Sequence, residues 1–233
     1  WTDDPTAVEH LPLYERLGSM GFDGLEVPII RPAPDPAAFA RLGEQLSGLG
    51  MERTCMAACA PDADPVSPDP LVRAAAVDRL KNAVDCTAAV GSKVLGGPLY
   101  AALGVFSGKG PTGDEWKRSV EVLQTVAEHA ATNDVSLSIE FLNRFEIYLL
   151  NTTLDTERYV RDIGAANVGV HYDTFHAHIE EKDPAAAIRA AEASITHVHI
   201  SENDRGTPGT GQVRWAESFD ALHAIGYDGW LTI

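Results

Sequence analysis

Cysteine is scarce in this chain, with three among 233 residues: Cys55, Cys59 and Cys86. An odd, sparse set builds no disulfide framework and points to a reducing, cytoplasmic setting. Cys55 and Cys59 lack His or Cys partners at metal spacing, so they read as buried small hydrophobes rather than zinc ligands. No apolar run approaches the length that crosses a bilayer. No signal-peptide pattern is visible, although the abrupt start on Trp1 is compatible with a lost leader. Positive charge is also short. Lys and Arg number 18 against 34 Asp and Glu, a net charge of −16. Such a surface repels phosphate backbones and anionic lipid, which argues against nucleic-acid and membrane partners unless a local basic cleft overrides the total. Asn151-Thr152-Thr153 matches a glycosylation acceptor, a motif without meaning in the cytoplasm.

What is present is a substantial apolar fraction, 45% of the residues, enough for one larger domain or two small ones. Helix and strand signals take turns along the whole length. Asp35-Pro36, Asp69-Pro70 and Asp183-Pro184 each read as an N-cap followed by proline at the first helical position, and Gly50 and Gly91 close two of these helices. Further helices are expected over 11–20, 114–132, 156–163 and 215–225. Strands are expected over 24–27, 53–58, 93–95, 136–140, 168–173, 195–200 and 230–233. Strand–helix units without low-complexity linkers predict a parallel sheet covered by helices. These seven strands, with Trp1 as the tail of an earlier one, point to a (β/α)₈ TIM barrel of one domain over 1–233. On that reading most of strand one precedes the chain and the barrel's end follows it. A doubly wound open sheet is the alternative.

Three successive strands have polar inner faces. In Ser136-Leu137-Ser138-Ile139-Glu140, the apolar residues Leu137 and Ile139 alternate with Ser136, Ser138 and Glu140. In the next strand Val168, Val170 and Tyr172 face the helices, while Gly169, His171 and Asp173 face inward. His197 and His199 share a face of the third. Catalytic groups of barrels sit at the C-terminal strand ends, and Glu140, Asp173 and His199 lie at or near those ends. Two neighbouring buried carboxylates need a compensating cation. Two oxygens, one imidazole nitrogen and room for water suit Mn²⁺, Co²⁺ or Mg²⁺ more than structural Zn²⁺. A hydrogen-bonded polar layer is the bland reading of any one of these residues; three converging strands favour metal.

Beyond the strand ends, His176 follows Asp173, Arg205 follows His199, and Glu146 follows Glu140. Arg205 and His176 can hold oxygens of a polar ligand. His178, Glu180 and Glu181 read as solvated loop charges. The glycine-rich segment 206–211 has too few cations nearby to bind phosphate and reads as a plain loop.

Several of these segments together resemble the ketose 3-epimerase family, which includes the D-tagatose and D-psicose 3-epimerases, within the xylose-isomerase-like barrels. The resemblance is carried by Ile139-Glu140-Phe141-Leu142-Asn143-Arg144-Phe145-Glu146, Leu149-Leu150-Asn151-Thr152, Asp173-Thr174-Phe175-His176 with Ile179-Glu180-Glu181, His197-Val198-His199, Asn203-Asp204-Arg205 and Pro208-Gly209-Thr210-Gly211. It is densest from Glu140 to Gly211, with Gly226-Tyr227-Asp228-Gly229 fitting the approach to strand eight. It implies that Glu140, Asp173 and His199 ligate a divalent metal, Mn²⁺ first, and that Glu140 is also a catalytic base. It implies that Glu146, His176 and Arg205 bind a ketose near its C1 and C2 oxygens. The family carries one more metal ligand, a Glu at the end of strand eight, which would be the residue after Ile233. It also implies a small-molecule sugar as substrate and a homo-oligomer, dimer or tetramer.

The chemistry suits these residues. The C3 proton of a free ketose is α to the C2 carbonyl, so a metal on O2 and O3 would stabilise the enediolate left when that proton departs. Inversion at C3 needs a base on one face and an acid on the other, roles for Glu140 and the strand-eight Glu. The rival readings are an aldose–ketose isomerase resembling hydroxypyruvate isomerase, a metal-dependent endonuclease, and a non-catalytic sugar-binding relic. The Glu146, His176 and Arg205 set favours the epimerase over the isomerase, and the acidic balance disfavours the endonuclease.

Overall fold

The computed structural model describes residues 4–233. Seven parallel strands stand in chain order in one sheet: β1 (Gly24–Pro28), β2 (Glu52–Met56), β3 (Val94–Gly97), β4 (Ser136–Glu140), β5 (Val168–Asp173), β6 (Ile195–His199) and β7 (Leu231–Thr232). Helices α1 (Leu11–Ser19), α2 (Pro36–Gly48), α3 (Pro70–Val90), α4 (Gly113–Thr132), α5 (Thr153–Ile163), α6 (Thr174–Glu180), α7 (Pro184–Ala191) and α8 (Trp215–Ala224) alternate with them, α6 and α7 both falling between β5 and β6. The parallel, sequential order is that of the expected TIM barrel. Among the described residues seven strands pair, with β1 and β7 at the two edges. Trp1, read as the tail of an earlier strand, lies outside the described residues.

Local chemistry accounts for where the helices begin. Asp35, Asp69 and Asp183 each accept a hydrogen bond from a backbone N–H in the first turn, with proline at the opening position. Thr112 and Glu115 form a reciprocal capping box on α4. Thr152 caps α5, which starts three residues earlier than the apolar pattern suggested. The core lies between sheet and helices, where Leu95, Leu137, Ile139, Val170 and Val198 of the strands meet Leu46, Val84, Leu123 and Val126 of the helices, all without exposed surface.

Two features depart from simple alternation. Helix α6 occupies the stretch just past Asp173 that read as loop, because the Asp173 carboxylate caps it. The pairing of β5 with β6 steps at Val170/His171: Val170 faces Ile195 and His171 faces His197, which leaves Thr196 as an extra residue. The hydroxyl of Thr196 then meets that of Ser138 at 2.7 Å, two strands away. Gly97 closes β3 with φ +121°, and a Cβ there would lie 2.1 Å from the Ala57 carbonyl oxygen, so strand and following turn fit only without a side chain.

Candidate functional site

The register sets the site. Glu140 of β4 is opposite His171 of β5, and Asp173 at the end of β5 is opposite His199 at the end of β6. All four side chains are buried or nearly so. Nδ1 of His199 lies 3.7 Å from Oε1 of Glu140 and 3.8 Å from Oδ2 of Asp173. One ligand atom from each of Glu140, Asp173 and His199 falls within 4.8 Å of the other two. The expectation that these three converge therefore agrees with the geometry.

The donor set fits a divalent ion. Contacts of 3.7 and 3.8 Å exceed hydrogen-bond length, yet match two atoms each roughly 2.0–2.4 Å from a shared cation. Asp173 divides its two oxygens. Oδ1 accepts from the backbone N–H groups of Phe175 (2.6 Å) and His176 (3.3 Å), while Oδ2 is turned toward His199. Charge points the same way. Burial pushes the Glu140 carboxyl up to about 8, with the nearby charges of Asp173 and Glu26 adding to it against the pull of His199 and Arg205. Burial opposes ionisation of Asp173 too, but His199, His176 and the Phe175 N–H outweigh it and hold this carboxyl low. His199 is pushed the other way: burial disfavours its charge, and contacts with Asp173, Glu26 and Glu140 raise it well above the ordinary imidazole value. A bound cation would take the place of the protons that otherwise balance these carboxylates.

Beneath this cluster lies a second polar layer, in which Glu26, the one member the sequence reading missed, joins the inward-facing His171 and His197. Glu26 of β1 accepts from His197 Nε2 at 2.8 Å and from the Thr54 hydroxyl at 3.1 Å, and its other oxygen is 2.7 Å from His199 Nε2. Desolvation of Glu26 is overcome by His197 and His199, which hold it well below the ordinary carboxylate range. The His171 ring stands edge-on to His199, with centroids 4.0 Å apart. Neither of its nitrogens has a hydrogen-bond partner among the described residues, and burial keeps it neutral. His171, His197 and His199 form a second group with metal-ligand spacing. Glu26 could have been found: Leu25-Glu26-Val27 places a lone carboxylate between apolar neighbours on a strand, the same signal that exposed Glu140.

The three residues expected to hold a ligand also come together. His176 Nδ1 accepts the Asn143 backbone N–H at 3.0 Å, so a neutral His176 carries its proton on Nε2, which lies 3.8 Å from Glu140 Oε1. Asn143 Nδ2 reaches Glu146 Oε1 at 3.0 Å, and Arg205 Nη2 reaches the same oxygen at 2.8 Å. The Arg205 guanidinium lies 4.2 Å from the centre of the Phe175 ring. One reading needs correction. Glu180 and Glu181 are not solvated charges: the Glu180 side chain is 2% exposed and paired with Arg144 at 2.6 Å, and Glu181 accepts the Thr153 N–H at 2.8 Å. They brace the start of α5 and the Arg144 turn. His178 is half-buried. The three cysteines are buried and free, as expected of small hydrophobes, and burial raises each thiol. The segment 206–211 is a loop, organised around Glu202, whose role the sequence did not disclose.

Residues 14–233 match the family model for the xylose isomerase-like TIM barrel. The L-ribulose 3-epimerase of Mesorhizobium japonicum is 39% identical over 207 residues, covering 89% of this chain and 69% of that protein. The chain belongs to the xylose isomerase-like TIM barrels, among the ketose 3-epimerases. A D-psicose 3-epimerase of Ruminiclostridium cellulolyticum is 34% identical, covering 92% of this chain and 74% of the relative. The crystal structure of a D-allulose 3-epimerase from Methylomonas sp. in complex with D-allulose superposes with a TM-score of 0.92 at 29% identity, covering 100% of this chain and 80% of that one. No helix among the described residues of this family member is long and apolar enough to cross a membrane.

Proposed function

We propose that this chain, working as one domain over 1–233, epimerises a free ketose at C3, with a divalent ion, Mn²⁺ first, held by Glu140, Asp173 and His199. The observation that carries the reading is that Glu140 joins two groups of side chains. On one side are the free Asp173 oxygen and His199 Nδ1; on the other are His176, Glu146 and Arg205. Held by Glu140, Asp173 and His199, such an ion would supply Lewis-acid polarisation of the ketose carbonyl. Glu140 takes the proton at C3, a role open to a buried carboxylate that the cation would keep ionised, His199 Nδ1 lying 3.7 Å from its Oε1. His176 offers its Nε2 proton to a sugar oxygen, and Arg205 offers the N–H groups not spent on Glu146. Inversion also calls for an acid on the opposite face, which the family resemblance assigns to a glutamate following β7. The arginines beside the site are already paired, Arg144 with Glu180 and Arg205 with Glu146, which favours an uncharged sugar over a phosphorylated one.

The test follows a free ketohexose in D₂O with Mn²⁺ by NMR. Deuterium entering C3 together with formation of the C3 epimer is the expected result. Deuterium confined to C1 or C2, with an aldose product, overturns the epimerase in favour of an aldose–ketose isomerase. Glu140→Gln is expected to cut kcat by at least roughly a thousandfold; near-normal turnover removes Glu140 as the base.

A further inference from the structure

Glu202 lies three residues past His199, in a polar loop, yet none of its surface is exposed. A buried carboxylate survives only if it is fully hydrogen-bonded, and this one is. Oε1 accepts the backbone N–H of Gly209 at 2.9 Å and the indole N–H of Trp215. Oε2 accepts the backbone N–H groups of Val213 at 3.1 Å and Asn203 at 3.3 Å. The main chain of the same residue turns inward as well: its carbonyl accepts from Arg205 N at 2.9 Å, and its N–H donates to Gly206 O at 3.3 Å. Asn203 adds a further tie, its Oδ1 accepting from Gln212 N at 2.8 Å. Around these two side chains the loop is packed without slack. A Cβ on Gly211 would lie 2.5 Å from Asn203 Oδ1 and 2.6 Å from Glu202 Oε2.

With four donors on two oxygens, Glu202 has nothing left to offer an ion or a substrate. What it holds is the path of the chain from the end of β6 to the first residue of α8, Trp215. Arg205 sits inside that path, at a left-handed φ of +60° that a non-glycine residue keeps only where its surroundings dictate it. From there its guanidinium lies over Phe175 and against Glu146.

We propose that Glu202 is the positioning residue for Arg205: its carboxylate closes the 202–215 loop and so fixes the guanidinium at the edge of the site. What Arg205 binds rests on the ketose reading; the closure of the loop does not. Glu202→Gln is the sharp variant, because it keeps size and shape but turns one acceptor oxygen into an NH₂ that faces N–H donors.

In Glu202→Gln, amide hydrogen exchange at Gly209 and Val213 is expected to quicken by ~100-fold while amides of β5 and α4 keep their rates. The ring-current shift of the Arg205 side-chain protons over Phe175 is expected to fall. Ketose KM should rise ~10-fold, as in Arg205→Ala, with Mn²⁺ affinity unchanged within about twofold, and the double variant should be no worse than Arg205→Ala alone. Unchanged exchange at Gly209 and Val213 overturns the proposal. So does faster exchange throughout the chain, which makes Glu202 a general stabiliser, or an unmoved KM where Arg205→Ala raises it. If the wild type turns over no ketose, the ketose reading fails alone, and the exchange and Arg205 shift still decide the role of Glu202.

Discussion

Glu140 and Glu202 are both buried carboxylates, and their surroundings drive them in opposite directions. At Glu140 desolvation and neighbouring negative charge win, and the carboxyl titrates near 8. At Glu202 desolvation is the largest single influence, but the Trp215 indole and the loop N–H groups together outweigh it and hold the carboxyl at about 2. The unfolded chain therefore takes up the Glu202 proton first as pH falls. The stabilisation from this residue is complete above its ordinary value of 4.5 and is lost as pH falls toward about 2. Glu202→Gln is expected to have a flatter dependence of stability on pH across that window, by as much as one proton, seen in urea melts at several pH values. Parallel curves for the two proteins would contradict it. The same contrast explains what could be read from sequence. Glu140, Asp173 and His199 declared themselves through strand alternation. Glu202 is buried by hydrogen bonds from residues up to thirteen positions away, and no local pattern marks it.

At the scale of elements, caps and alternation located the strands and most helices, with ends displaced by a few residues. The losses have physical causes. Helix α6 was hidden because its cap, Asp173, is also the last residue of a strand. The step in register at Thr196 was hidden because an extra residue in a short strand leaves the apolar pattern of Ile195, Val198 and Ile200 readable. The β3 terminus is the element most sensitive to a single atom. Gly97→Ala is expected to cost more than about 2 kcal/mol, since it adds a strained φ to a contact with the backbone of Ala57. Urea denaturation measures it, and a loss under about 0.5 kcal/mol would show that the turn yields easily.

For the whole molecule, the order of strands followed from the alternation of elements, and with it the meeting of β4, β5 and β6 at one end. What did not follow was the reach of β1 across to β6. The metal reading has a global consequence, because an ion bound only by the folded chain stabilises it. At about a hundred times its Kd, Mn²⁺ is expected to add about 2.7 kcal/mol, a rise in Tm of roughly 5–10 °C. EDTA should reverse the rise, and Glu140→Gln should remove most of it. An unshifted wild-type melt would count against the site. The Glu26–His197 hydrogen bond carries one more implication, for time rather than energy. Its partners are 171 positions apart. On a growing chain Glu26 is finished long before the imidazole that hydrogen-bonds it exists. Until β6 arrives, the first strand holds a carboxylate that has to stay in water, so the early strands cannot close over a dry interior. The barrel's polar floor thus sets an order of assembly, in which the inner face is sealed only after most of the chain has been made.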